Sequence, residues 1–499
     1  MAEAKAAKLS EPNREVFRPA DHAAAAAAAR RGELRRVYKG VYTSNLTAPL
    51  QQVVRRNWID VAGAIFPGGV MIGRSAVLAR PTDDGHVFID AGQKQANARN
   101  VEIHGLKLHG RPGLGRIAGD MPVMNMFISG QSRAALENCD RSRARNGPSR
   151  TLKPDELESW LAGIADRLGT DELNRLRDGA RIIAENRGAP WSEWFEVLDG
   201  KIGALQGTRD DRLSTPSGAA RGSGLPFDTD AIDRCDLLQS ALLAQPIPAY
   251  AEIDDTNEVC AFYEAYFSNF IEGTEFVVEE AERIVFEGLV PQDRPDDAHD
   301  ILATFQAIVD PTRRARVPES ADGMLAYAKD LNRNVLSARL DKRPGEFKNV
   351  PNRAGNTRFV EPELVEGTLV NAWRFIQTLP PGAARATMTM FVINEVHPFS
   401  DGNGRTARLM ANAELSAAAQ PRFLVPLSYR EDYLGALRAL SRSDNPDPMV
   451  RMVERILRWV PMIDWSDGRA ARAQLESTRA LISLDDYERG SAMLRDPVA

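Results

Sequence analysis

Cysteine is scarce in this 499-residue chain: only Cys139, Cys235 and Cys260 occur, widely spaced and with no CxxC pair. That pattern suits reduced thiols and argues against a disulfide framework or a zinc site. Long apolar runs are also missing. Nothing approaches the roughly 18 residues that would cross a bilayer, and the opening MAEAKAAKLSEPNREVF has no apolar core of the secretory kind. The expectation is a cytoplasmic protein with no membrane partner. A GxxxxGK[ST] loop is absent, which excludes a P-loop nucleotide site. GLGRIAG (113–119) has one residue too many for GxGxxG, and GRSAV (73–77) lacks the last glycine of a nucleophile elbow. Strong net charge is lacking too. A value of −6 excludes a surface made to coat nucleic acid throughout, although an average can hide a local basic patch.

An apolar fraction of 43% and a charged fraction of 26% are those of a globular chain. At roughly 150 residues per domain the length suggests about three domains. The first, 1–130, reads as mixed α and β. Ala23 to Ala29 favour a helix, and Val37, Tyr38, Val41 and Tyr42 around Gly40 suggest a hairpin. VMIGRSAV, HVFIDAG and VEIHGLKLHG read as further strands. A helical connecting region spans 131–205, with Leu157, Leu161, Ile164 and Leu168 at helical spacing. The Gly-, Ser- and Pro-containing stretch 206–245 reads as a linker. From 246 to 465 the pattern is mostly helical, interrupted by PGEFKNVPNRAGNTRFVEP, which has the turn residues of an exposed hairpin. A helical tail is expected over 466–499.

The stretch that carries chemistry is VHPFSDGNGRTARLM, 396–410. Ala384, Met388, Phe391 and Val392 form the apolar stripe of a helix that ends near Val396. TARLMANAELSAAA begins another. Between them, Gly402, Asn403 and Gly404 let successive N–H groups face one concavity at a helix N-terminus, a cradle for phosphate. Arg405 and Arg408 are placed in the first turn, where positive charge opposes the helix dipole, so a bound polyanion explains them better than helix stability. Asp401 is a hard oxygen ligand suited to Mg²⁺ between phosphates, and His397 can accept a proton at neutral pH. The competing reading is a polar turn whose arginines pair with nearby carboxylates.

HPFSDGNGRTAR also matches the HxFx[DE]GNGRxxR signature of Fic (filamentation induced by cAMP) domains, so this part of the chain resembles that mostly AMP-transferring family. The resemblance covers about 220 residues, roughly 246–465. It implies a mainly α protein: an all-helical Fic core with a small β-hairpin flap, preceded by the mixed α/β section. It further implies AMP transfer from ATP to a hydroxyl side chain of a target protein, with release of pyrophosphate. On that analogy His397 is the general base and Phe399 a buried anchor. Asp401 holds Mg²⁺, while Gly402, Asn403 and Gly404 form the anion hole. Arg405 and Arg408 meet the β- and γ-phosphates. GNTRFVEP resembles the target-docking flap, with Gly355, Asn356, Thr357, Arg358 and Phe359. REDYLGALRALS resembles the adenine-seating segment, in which the usual tyrosine pair falls on Asp432-Tyr433 or Tyr433-Leu434, so Tyr433 is the expected adenine contact. Related proteins remove AMP or transfer other nucleotides, and the signature does not separate these activities.

FSNFIEGTEF sets Ser268 and Glu272 four residues apart on one helix face, followed by Gly273. It matches the [ST]xxxE[GN] motif with which Fic proteins inhibit themselves, expected here on a helix over 262–273. The resemblance implies that Glu272 pairs with Arg408 and keeps ATP from seating productively. Near the start, RRGELRRVYKGVYTSN is locally basic, looks like the hairpin of a winged helix and resembles abortive-infection antitoxin-type (AbiEi-like) regulators over about 60 residues. DNA contact through phosphates is one reading of it, and a protein-docking or homodimer module is the other. A DNA-binding regulator with a secondary Fic domain is the rival to the enzyme.

Overall fold

The structure is a computed structural model that describes residues 14–93, 97–140, 142, 148–251, 254, 256–482 and 493–497. The chain divides into two compact units, 1–224 and 225–499, taken in turn.

In the first unit the Asp21 carboxylate accepts from Ala24 N and caps the alanine helix His22–Arg30, which buries Ala25 and Ala28. Gly40, at φ +76°, turns the chain from Arg35–Tyr38 into Val41–Thr43, and Val16–Phe17 adds to the outer side of the second strand. The expected helix and hairpin are therefore present. The basic stretch is partly engaged internally: Arg31 pairs with Glu33, and Arg35 donates to Ala48 O. A six-stranded sheet follows, in the order Arg99–Ile103, Leu106–Arg111, His86–Asp90, Val70–Met71, Met126–Ile128, Met121–Val123. VMIGRSAV was expected to be one strand but yields only Val70–Met71. Gly73 at φ +54° breaks it, and Arg74–Leu78 is helical. Helices Gln131–Cys139, Pro154–Leu168, Thr170–Arg187 and Trp191–Leu205 share a core of Leu136, Leu157, Leu161, Leu173, Leu198 and Ile202. The compact unit runs on to 224, past the boundaries expected at 130 and 205.

Nor is 206–245 a linker throughout. Thr229–Ala244 is a 16-residue helix, α1, capped by Asp228 and burying Ile232, Cys235, Leu238 and Leu242. Its polar exposed face concealed an apolar stripe with helical spacing. The second unit continues with α2 (Glu258–Ile271), α3 (Pro295–Val309), α4 (Ala321–Val335), α5 (Val365–Thr378), α6 (Ala383–Val396), α7 (Asn403–Ala417), α8 (Arg430–Ser443), α9 (Asp447–Trp459) and α10 (Gly468–Ser477). Strands Arg353–Ala354 and Thr357–Arg358 make a hairpin whose turn is Gly355–Asn356. The unit is thus helical with one small hairpin among the described residues. α6 and α7, nearly all buried, form its centre. Of the expected helical tail, α10 is helical and 493–497 is not; the Trp459 indole donates to Arg495 O. Positions 483–492 and 498–499 of that tail lie outside the described residues. Among the described residues no helix is long and apolar enough to cross a membrane.

Candidate active site

α6 ends as expected at Val396, and His397 caps it in the left-handed region, at φ +51°, with its N–H donating to Ile393 O at 3.0 Å. The loop that follows is fixed mainly by amide side chains. Asn403 is bonded twice to the backbone of Phe399, at 2.9 Å each. Asn352 donates to Phe399 O at 3.0 Å, and Asn332 to Asp401 O at 2.9 Å. Lys348, itself buried, reaches Val396 O and Asn352 Oδ1 with its ammonium, while its N–H donates to Pro398 O. Phe399 is 1% exposed and packs on Phe347. Gly402, at φ +74°, opens α7 where a Cβ would come within 3.0 Å of Asn332 and Leu336.

The His397 Nδ1 lies 3.3 Å from Asn394 O, so Nδ1 carries the proton and Nε2 keeps its lone pair. Burial, then the nearby Lys348 charge, push the imidazole down to about 4. It is neutral at pH 7. Burial lowers Lys348 in turn to about 8. One ring covers the histidine: Phe359 stacks on it with centroids 3.7 Å apart and planes 7° from parallel.

Arg405 falls in the first turn of α7 and Arg408 in the second, so the placement of both in the first turn is corrected. Both arginines are buried and both have carboxylate partners. Arg405 Nη1 donates to Asp300 Oδ2 at 2.7 Å, with Asn269 Oδ1 at 3.3 Å, and its buried Nε has no hydrogen-bond partner among the described residues. Arg408 is gripped by the end of α2. Its Nε donates to Ser268 Oγ at 2.9 Å, and Nη2 donates to Ser268 O at 2.8 Å and to Glu272 Oε1 at 2.7 Å. Glu272 is the cap residue after Ile271 rather than a residue inside the helix, and Gly273 at φ +91° ends it. Burial opposes charge on Glu272, but Arg408 and then Arg405 outweigh it and hold the carboxyl below its usual range. The Glu272 carboxylate reaches the cradle itself: a Cβ built on Gly404 would lie 2.1 Å from Oε1.

A cleft of about 350 Å³ joins these groups, lined among others by Glu272, His397, Gly404, Arg408, Tyr433 and Phe359. Tyr433 is buried, its hydroxyl 3.4 Å from Arg408 Nη1. Leu434 and Leu437 form an apolar wall, and the flap supplies Gly355 and Thr357. Asn356 lies in the hairpin turn, and Arg358 is exposed. Asp401 is not among the residues that line this cleft; its side chain is 37% exposed, and its Oδ1 accepts from Gly402 N at 2.6 Å and lies 3.5 Å from Arg405 Nη2. Among the described residues no three His, Cys, Asp or Glu converge on a metal position. A single exposed carboxylate suits a Mg²⁺ that takes its remaining ligands from phosphate and water.

The sequence reading missed Asp300, Asn269, Lys348, Asn352 and Asn394. A signal existed for the first. Asp300 is in phase with Ala303, Thr304 and Ala307 on the buried face of α3, and a carboxylate on such a face needs a cation.

These features define one cleft built on a helix–loop–helix. Residues 324–415 match the Fic/DOC family, so this part of the chain is a Fic/DOC domain. The protein adenylyltransferase Fic of Drosophila grimshawi is 30% identical over 124 residues, covering 22% of this chain and 26% of that protein. The one from Nematostella vectensis is 39% identical over 70 residues, 14% and 16% of the two chains. The chain thus matches 26% and 16% of the length of these two curated relatives. A Fic domain containing signaling protein from Bacteroides thetaiotaomicron aligns with a TM-score of 0.38 at 20% identity, over 49% of this chain and 97% of that one.

Proposed function

We propose that the second unit is an autoinhibited adenylyltransferase that moves AMP from ATP to a hydroxyl side chain of a target protein. One observation carries this reading: a neutral histidine, a buried arginine and the Gly404 cradle line a single cleft, with a carboxylate lying in the cradle. The acceptor oxygen attacks the α-phosphorus, the bond from it to the bridging oxygen breaks, and pyrophosphate leaves. The hydroxyl proton passes to His397 Nε2, free because Nδ1 is held by Asn394 O. The N–H groups at the start of α7, with Arg405 and Arg408, offset phosphate charge without needing to reorganise. Asp401 would hold Mg²⁺, which neutralises charge on the phosphates. In the inhibited state Glu272 takes both the cradle and Arg408. Phosphate must replace it there.

A second reading has support in one detail. Only Oε1 of Glu272 is engaged, and the side chain is 29% exposed to the cleft. Its other oxygen is free to orient a water for removing AMP from a modified protein.

Both are tested with the full chain carrying Glu272→Gly, incubated with α-labelled ATP, Mg²⁺ and a lysate and read by mass spectrometry. Transfer requires new adducts of AMP mass on protein hydroxyls. Labelling no greater than that of the unchanged chain sinks the autoinhibition. Loss of pre-existing adducts, abolished by the same substitution, supports removal instead.

A further inference from the structure

The flap is positively charged where a hairpin should avoid it. Arg353 and Arg358 are cross-strand partners, directly opposite in the register of the two strands. Like charges in that position destabilise an antiparallel pair. Arg358, whose side chain is 75% exposed, is relieved by Glu361 at 2.6 Å. Arg353 is exposed and has no ion pair with a carboxylate among the described residues. Across the cleft mouth, α8 presents Arg438 and Arg442, both exposed. Arg438 pairs with Glu431 at 3.0 Å, whereas Arg442 donates to Thr357 Oγ1 at 2.7 Å and ties the helix to the flap. Glu361 is paired with Arg358, Glu431 with Arg430 and Arg438, and Asp444 at the end of α8 with Arg234, which leaves Arg353 and Arg442 without an ion pair among the described residues. This basic rim belongs to a chain whose net charge is −6, so overall composition does not account for it.

We propose that the rim recognises an acidic segment: the acceptor hydroxyl lies in a target stretch flanked by Asp or Glu, with a carboxylate seated at the Arg353–Arg358 pair. The inference rests on the transferase reading and narrows its substrate to one class of protein segment. The cross-strand repulsion supplies the reason, because it is removed when an anion binds between the two guanidiniums. Exposed contacts of this kind act mainly through encounter rate and partner choice, and salt weakens them.

The test uses the full-length Glu272→Gly chain with ATP, Mg²⁺ and synthetic peptides. Each peptide holds one Ser, Thr or Tyr flanked by Glu/Asp, Ala or Lys. The expected result is a kcat/KM about tenfold higher for acid-flanked peptides than for alanine-flanked ones, a preference that falls on adding salt. The double variant Arg353→Glu/Arg358→Glu in the same background should reverse the preference toward lysine-flanked peptides. That gain is something a merely misfolded hairpin would not produce. Equal rates across the series, preference for basic flanks, or self-labelling with no peptide labelled overturns the inference and leaves the transferase reading intact. Modification of a single-stranded oligonucleotide in preference to every peptide also overturns it, since the rim would then serve nucleic acid. Absence of all labelling, on peptide and on the chain itself, removes the underlying reading and the inference with it.

Discussion

Two buried arginines, one in each unit, make an instructive pair. In the first unit Arg133 is held by Asp90, Asp120 and Glu137 at 2.7–2.8 Å. Their remaining oxygens accept from Gly92 N, Gly130 N, Gly73 N and Ser129 Oγ. In the second unit Arg408 has one carboxylate, Glu272, and that carboxylate faces a cleft. Burial and ion pairing are common to both, so neither marks a site. The difference lies in whether the anion can be exchanged. Three carboxylates locked by backbone amides cannot leave Arg133 without unfolding, whereas on the proposed mechanism one glutamate at a helix end yields to phosphate.

That contrast can be broken in several places. The largest effect is expected from His397→Ala, which should cut AMP transfer by about 10²–10⁴-fold while circular dichroism still reports a folded chain. Retained activity would mean that the cleft has another base. Next, Arg133→Met leaves buried carboxylates unpaired and should cost the first unit about 3–5 kcal/mol in urea unfolding. A small loss would place Arg133 in the exchangeable class. Glu272→Gly should raise self-labelling by roughly tenfold or more, about 1.4 kcal/mol of released competition, measured as initial rates with labelled ATP.

Acid offers a subtler probe. His397 titrates at about 4 when folded, below the ordinary 6.5, so the unfolded chain binds the proton more readily. Its contribution to stability is therefore complete above 6.5 and lost as pH falls from 6.5 toward 4. Denaturant titrations of the native and His397→Ala chains should diverge within that window. If the two curves stay parallel, the imidazole is not held neutral. The smallest effect is expected from Phe359→Ala. Removing the stacked ring lets water reach the imidazole, which should raise the His397 pKa in NMR titration by a fraction of a unit to about one unit.

The legibility of these features in the sequence follows from the range of the forces involved. The end of α6 at Val396 and the hairpin turn at Gly355–Asn356 are written in neighbouring residues. The anchor Phe399 and the glycines of the cradle were readable because a short loop determines its own backbone. Asp300 for Arg405, and Lys348 with Asn352 for the loop, lie roughly 50 to 100 residues away from what they hold. Chain topology alone brings them in. The pairing of Glu272 with Arg408 crosses 136 positions, and only a resemblance of motifs suggested it. The helix 229–244 was missed because its polar face dominates the composition, and the stacking of Phe359 on His397 has no signature in either segment.

Gly404 has a consequence for how this protein can change. The space over its missing side chain is used by the Glu272 carboxylate at rest and, on the proposed mechanism, by phosphate at work. A methyl group there would deny both. Restraint and turnover are thus coupled at one backbone position. On that mechanism, substitutions that release the restraint are expected on the helix end carrying Glu272, because a side chain at position 404 would displace carboxylate and phosphate alike.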